Sequence, residues 1–321
     1  MRLIEVKVRL ESPAIISSKR TKEGYVRPLR YLPGSTLRGA VISSLYVEGL
    51  LNEEDLKREA KNPSILASPA YPIIDGFKSY PATPFVGKCK LCGKIYDLTE
   101  ENVRNIMEGK DPVFHGECEK CQVPIESLYD KLISKRGEVE VGVFRLTSVG
   151  IDKKRGVSAK GMLFDYEAIE EGIEFWARLR VPREIEIDGL EIFIGRGASR
   201  GFGRAIIEFV GEYEVEVNGN IFYALSDLTP LRSIRTLYGV TIKIREVYGR
   251  NKQLQTGWDM EKSKPRPVIN VVGSGAVVVA EVEYFKPEIS AVGIPLEVED
   301  FWITGLNVLT PISEYLAARR E

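Results

Sequence analysis

Histidine is almost absent from this chain: His115 is the one imidazole in 321 residues. Its place between two cysteine pairs leaves no histidine for a Ser-His-Asp or Cys-His arrangement elsewhere. Long apolar runs are missing too, and none approaches the roughly 18–20 residues of a membrane span. The opening Met1-Arg2-Leu3-Ile4-Glu5 lacks the apolar stretch of a secretory signal, so a cytoplasmic location is expected. A surplus of positive charge is absent as well. With a formal net charge of -1, the chain cannot coat nucleic acid indiscriminately, and any RNA contact must come from local patches. No Lys-Ser or Lys-Thr follows a glycine at P-loop spacing, which removes the usual nucleoside-triphosphate loop.

What the chain does have is Gly195-Arg196-Gly197-Ala198-Ser199-Arg200-Gly201-Phe202-Gly203-Arg204, four glycines and three arginines between two strand-like runs. Glycine permits positive φ and close backbone approach, while arginine supplies charge and a bidentate fork. Backbone N–H groups in such a loop can converge on a phosphate. The segment that follows, Arg204 to Val210, alternates like a strand, whereas a dinucleotide-binding fingerprint requires a helix there. Two readings stay open: a loop for a phosphodiester backbone, or a hairpin turn whose arginines face water. Further basic patches are Lys19, Arg20, Lys22, Arg27 and Arg30, and Lys153-Lys154-Arg155.

All four cysteines fall in two pairs, Cys89-x-x-Cys92 and Cys118-x-x-Cys121. Each pair can grip a tetrahedral zinc from one turn, and Gly93 and Gly116 suit the tight bends of a ribbon or knuckle. A structural zinc is expected. Two disulfides do not suit a cytosolic chain, a redox motif would be a single pair, and four thiolates leave no open position for a catalytic water. His115 is either a replacement ligand or an incidental surface residue.

Ile4, Val6, Val8 and Leu10 alternate with charged residues, a strand with one buried face. The turn Leu32-Pro33-Gly34 then leads to a helix with Ser35 or Thr36 as N-cap, a second possible phosphate site with Arg38 one turn in. Prolines between 63 and 84 mark the cysteine segment, 85–125, as a projecting insertion with a helix over 99–108. Strands resume near 139–144 and 173–181; between them 147–159 is too polar and basic for core and long enough to project as a flexible hairpin. After residue 211 come a possible helix over 228–238 and the strand 276–282. The pattern predicts an α+β protein with a main domain over 1–210 and a smaller α+β unit over 211–321.

In this order, the first strand, Leu32-Pro33-Gly34-Ser35-Thr36-Leu37-Arg38-Gly39, Ile151-Asp152-Lys153-Lys154-Arg155-Gly156 leading to Leu163-Phe164-Asp165-Tyr166-Glu167 and Gly172-Ile173-Glu174-Phe175, and finally Gly195 to Arg204 resemble the RAMP superfamily of CRISPR systems. The resemblance implies tandem ferredoxin-like (RRM-like) domains and a glycine-rich loop touching guide RNA (crRNA). Gly257-Trp258, Lys264-Pro265-Arg266-Pro267-Val268 and Gly273-Ser274 resemble the type III-D subunit that caps the five-prime end of the guide; the cysteine insertion departs from its simplest form and is more familiar in backbone-type subunits. The expectation is a non-catalytic subunit of a heteromeric type III effector in antiviral defence. Its RNA-binding residues would be Ser35, Arg38, Lys153, Lys154, Arg155, Gly195, Arg196, Gly197, Arg200, Gly201, Phe202, Gly203 and Arg204, with Cys89, Cys92, Cys118 and Cys121 on zinc. Phe202 is either a platform for an unstacked base or a core anchor. Two alternatives stand beside this reading: an endoribonuclease that cuts RNA through Asp152, and a zinc-stapled interaction module with no RNA role.

Overall fold

A computed structural model describes residues 1–321 except 21–25, 153, 154, 156, 218, 230–232, 236–240, 260, 261, 285, 286 and 321; at 17–20, 26–28, 152, 158–165, 233–235, 241, 242, 258, 259, 282–284 and 287 it describes backbone alone. Lys22, Lys153 and Lys154 therefore lie outside the described residues.

Alternation makes the first strand, β1 (Arg2–Leu10), with Ile4, Val6, Val8 and Leu10 buried. Each such side chain contributes roughly 1.5–3 kcal/mol on burial. The other strands of this sheet are β2 (Leu66–Ala67), β3 (Tyr71–Ile74), β4 (Phe77–Lys78), β5 (Glu174–Val181), β6 (Leu190–Phe193) and β7 (Arg204–Glu212). Their order is β6-β7-β1-β5-β3-β4, with β2 also beside β5. Every pairing is antiparallel, and the registers Val8↔Phe175 and Val8↔Ile207 put apolar residues across from one another.

Helix α1 (Gly34–Val47) buries Leu37, Ala40, Val41 and Leu45 against one sheet face, in a core with Val6, Leu179 and Ile192. The N-cap is Pro33, with no side-chain cap, so the expected Ser35 or Thr36 cap does not form. Ser35 lies instead inside the first turn, where a Cβ on Gly305 would come within 2.4 Å of its nitrogen. The helix start is thus packed under the Gly305 turn.

The opposite sheet face is covered as well, which is why β5 is buried almost continuously. Trp176 on that face joins Tyr71, Tyr80, Phe85, Tyr223 and Tyr315 in an aromatic core, where Tyr223 and Tyr315 stack at 4.5 Å. Arg178 is buried beside them, its guanidinium 4.0 Å from the Tyr213 ring centroid and bonded to Glu314 of the helix Ile312–Arg320.

Beyond β7, a second antiparallel sheet runs in the order Ser233–Arg235, Thr241–Tyr248, Val277–Tyr284, Ile221–Ala224, Leu309–Pro311. The helix expected over 228–238 gives way to strand: Leu228 bridges to Val272, and Ser233–Arg235 pairs with Thr241–Lys243. The residue before Pro230 is biased to extended backbone, which favours this outcome; residues 230–232 and 236–238 of that expectation lie outside the described residues. The sheet's core draws in Leu3 and Leu66 from the first sheet.

Helix α3 (Thr99–Met107) forms where the pattern places it. The cysteine segment does not stand clear of the body, because Phe85, Val86 and Val103 enter the shared aromatic core. The hairpin expected over 147–159 is the outer part of a longer one, in which the strands Val143–Asp152 and Val157–Ile169 pair.

Candidate nucleic-acid interface and metal centre

The glycine–arginine segment joins β6 to β7 at the edge of the first sheet, with a single 3-10 turn at Ala198–Arg200. Gly195 and Gly203 have φ of 88° and 79°. A Cβ at Gly195 would lie 2.5 Å from the Ile15 carbonyl oxygen, and one at Gly203 only 2.1 Å from that of Ile194. Both close approaches belong to a backbone clamp. Arg196 N donates to Ile15 O at 3.1 Å, Gly203 N to Pro13 O at 2.8 Å, and Glu11 N to Arg204 O at 2.9 Å. Within the loop, Arg200 N and Phe202 N both donate to Gly197 O, and Gly201 N donates to Ala198 O. The glycines therefore lock the loop to the segment 13–15, and many of the N–H groups expected to face a phosphate are taken internally.

Charge is what the loop leaves outward. Arg196 and Arg200 are exposed, with no carboxylate within 4.0 Å among the described residues. The Arg200 guanidinium sits 5.3 Å from the ring centroid of Tyr166 on the long hairpin. Arg204 is different: its Nε is 2.7 Å from Glu191 Oε2 across the strand pair. Phe202 is half-buried, its ring against Gly197.

The long hairpin is tied to the same clamp, since Ala14 bridges to Ile169 one residue before Ile15 bridges to Arg196. Leu146, Val149, Ile151 and Val157 are exposed along it, and Arg155 is exposed at its tip. Asp152 ends the first hairpin strand opposite Val157. The structure thus brings together Arg196, Arg200, Tyr166 and the hairpin. Arg38 does not join them: its guanidinium donates to Ile65 O at 2.7 Å and pairs with Glu59 at 2.8 Å, with side chains 16% and 6% exposed. Glu59 also accepts from Ser64 N and Ile65 N, so this pair fastens α1 to the end of helix α2 (Glu53–Lys61). Tyr166 stood in the sequence only as part of the 163–167 motif; its place beside Arg200 depends on the strand pairing.

The second constellation is the cysteine cluster. The strand Val86–Cys89 pairs on one side with Ile95–Asp97 and on the other with Ile125–Ser127, which brings the two pairs together. Both turns have the same design. Gly93 N donates to Cys89 O and Gln122 N to Cys118 O, with φ of 73° and 54° at the residue after each second cysteine. All four sulfur atoms lie within 4.8 Å of one another, and Cys92 Sγ and Cys118 Sγ are 3.8 Å apart.

Four tetrahedral thiolates at about 2.3 Å from zinc would be separated by about 3.8 Å, so the spacing fits that ion. Sulfur donors alone do not suit magnesium or calcium. The Tyr96 hydroxyl donates to Cys118 Sγ at 3.2 Å and, with the N–H groups of Cys121 and Lys120, draws that thiol down to about 6. The N–H groups of Cys92 and Leu91 lower Cys89 in the same way. Cys121, hydrogen-bonded to the neighbouring sulfurs, is pushed up to about 12. His115 stands apart from this shell: its Nε2 lies 2.8 Å from the Phe85 carbonyl oxygen.

Together these features define an α+β protein whose glycine-rich hairpin is clamped beside its first strand. The profile of the RAMP superfamily matches residues 7–206, from β1 through the glycine loop, and the chain belongs to that superfamily. Two solved chains share the fold over 86% of this chain and 86% of their own. One is in a type III-B Cmr-beta complex bound to cognate target RNA and AMPPnP, at 15% identity and a TM-score of 0.50. The other is in Cmr-beta bound to cognate target RNA, at 13% identity and 0.51. A chain of a Csm3-Csm4 subcomplex in a type III-A interference complex covers 97% of this chain and 99% of its own, at 14% identity and a TM-score of 0.44. No curated protein matches the chain. Among the described residues, no helix is long and apolar enough to cross a membrane.

Proposed function

We propose that this chain is a non-catalytic guide-RNA-binding subunit of a cytoplasmic type III CRISPR effector, and that its glycine–arginine loop holds the five-prime handle. One observation carries the reading: Arg196 and Arg200 stand exposed, with no carboxylate partner among the described residues, on a loop held in shape by its own backbone bonds. A loop already fixed in shape loses little further backbone entropy when its arginines meet phosphate. Arg155, with Lys153 and Lys154 beside it in sequence, extends the basic surface along the hairpin, whose exposed apolar residues offer surface for unstacked bases. Arg38, Ser35 and Arg204 take structural roles in this reading.

The strand order β7-β1-β5-β3 is that of a ferredoxin-like sheet, with β6 and the 3-10 turn where a second helix would lie. The units are a main domain over 1–210, a cysteine insertion over 85–125 and a smaller domain over 211–321. Cys89, Cys92, Cys118 and Cys121 would hold a structural zinc, which supplies a four-way crosslink and no reactive position.

The deciding experiment titrates labelled CRISPR-repeat RNA at several salt concentrations into wild type and an Arg196→Ala/Arg200→Ala variant, and follows strand integrity on denaturing gels. The reading expects salt-sensitive binding that the variant loses, with intact RNA throughout. Unchanged binding in the variant sinks the role of the loop, and cleavage abolished by Asp152→Ala would replace it with the nuclease alternative.

A further inference from the structure

A pocket of about 380 Å³ opens where the cysteine segment meets the second sheet. Phe114 and His115 line it from the cysteine segment, Ser127 and Tyr129 from the chain just after it, Tyr248 from the second sheet and Arg250 from the turn that follows. It is remote in the fold from the glycine loop. That loop joins β6 and β7 at one edge of the first sheet, while the chain that forms the pocket leaves from β4 at the other.

The walls are aromatic and fixed. Phe85, fully buried, backs both Phe114 and Tyr248, with ring centroids at 5.7 and 5.8 Å. Phe114 is 60% exposed, so its outer face has no covering. The Tyr129 hydroxyl donates to Gly273 O at 2.6 Å, and the Arg250 guanidinium lies 5.8 Å from the Tyr129 ring centroid. An exposed cation thus stands beside the Tyr129 ring.

His115 adds a selective element. The Phe85 carbonyl can only accept, so Nε2 carries the proton in their 2.8 Å hydrogen bond. Burial holds the imidazole below its usual range and therefore neutral near pH 7. The remaining nitrogen, Nδ1, is then an acceptor and calls for a donor on the ligand.

We propose that this pocket binds one nucleotide whose base carries an amino group, with the base on the Phe114–Tyr248 wall, the amino N–H donating to His115 and the phosphate met by Arg250. A free mononucleotide and a single unstacked residue of an RNA strand present the same chemistry. Stacking, one hydrogen bond and one ion pair divide the recognition, and uracil, which has no amino group, is disfavoured.

Calorimetric titration of the full chain with adenosine 5′-monophosphate, uridine 5′-monophosphate and a single-stranded oligoadenylate tests this. The adenosine nucleotide is expected to bind saturably, about tenfold more tightly than the uridine nucleotide, the equivalent of one good hydrogen bond. Arg250→Ala and Phe114→Ala, both at exposed positions, should each weaken it by about tenfold without moving the melting midpoint. Arg196→Ala/Arg200→Ala should leave mononucleotide binding unchanged, which separates this site from the glycine loop. Oligoadenylate that binds more tightly and still needs Phe114 and Arg250 identifies an RNA residue as the occupant; mononucleotide binding as tight or tighter identifies a free nucleotide. Equal affinity for the two mononucleotides, binding indifferent to both substitutions, or silence from all three probes overturns the proposal, and silence reassigns the pocket to a protein side chain.

Discussion

The glycine–arginine loop and the cysteine turns are both short, glycine-punctuated bends, yet they hold their shapes by opposite means. The loop is held by backbone bonds to Pro13 and Ile15 and turns Arg196 and Arg200 outward. The cysteine turns point four sulfurs inward at one another, the donor set that a metal ion would draw together. A surface that must meet a changing partner benefits from a shape independent of that partner. A joint that must never open gains by making its shape depend on what it holds.

Substitutions can break this contrast, beginning where the effect is greatest. Cys118→Ser should abolish stoichiometric zinc and lower the melting midpoint, removing several of the roughly 10–16 kcal/mol with which structural zinc sites bind. Metal analysis beside a thermal melt checks it, and a chelator should reproduce the shift in wild type. RNA binding by the folded remainder should persist. Gly203→Ala strikes the loop's own support, with its Cβ driven toward Ile194 O at positive φ, and should cost about 2–3 kcal/mol in denaturant unfolding.

The Arg196→Ala/Arg200→Ala variant sharpens the comparison from the other side. Its unfolding free energy should stay within about 0.5 kcal/mol of wild type. The slope of log affinity against log salt for RNA should flatten by about 0.7 for each phosphate that is no longer neutralised. Arg204→Ala, which removes an exposed pair with Glu191, should change stability by less than about 1 kcal/mol and leave that slope alone. A flatter slope in Arg204→Ala would mean that Glu191 yields its partner to RNA.

Much of this was legible in the sequence where a residue acts through its own chain neighbours. Alternation around Ile4 and Val8 gives β1, the spacing of Cys89, Cys92, Cys118 and Cys121 gives the cluster, and four glycines give a tight loop. What escaped depends on partners far along the chain. Arg38 reads as a cation for RNA until Glu59 and the Ile65 carbonyl are brought to it. Arg204 reads like Arg196 until strand register sets Glu191 beside it. The polar stretch 147–159 reads as a projecting hairpin, but the full length of its strands escaped, because a hairpin facing solvent buries too little on either side to show alternation, and Ile151 and Val157 are exposed in fact. Tyr96, which donates to Cys118, carries no spacing signal at all.

The central place of β1 has a consequence for how the molecule is made. Both neighbours of β1 come from far downstream, as its ion pairs record: Lys7 reaches Glu174 across 167 positions and Arg9 reaches Glu208 across 199. At roughly 5–20 residues per second, β1 waits about 10–40 s on the ribosome before both partners exist. During that wait, Ile4, Val6 and Val8 form a bare strand of the kind that seeks any open edge. Glu5, Lys7 and Arg9, interleaved with them, act first as guards against premature association and only later as the register marks of the finished sheet.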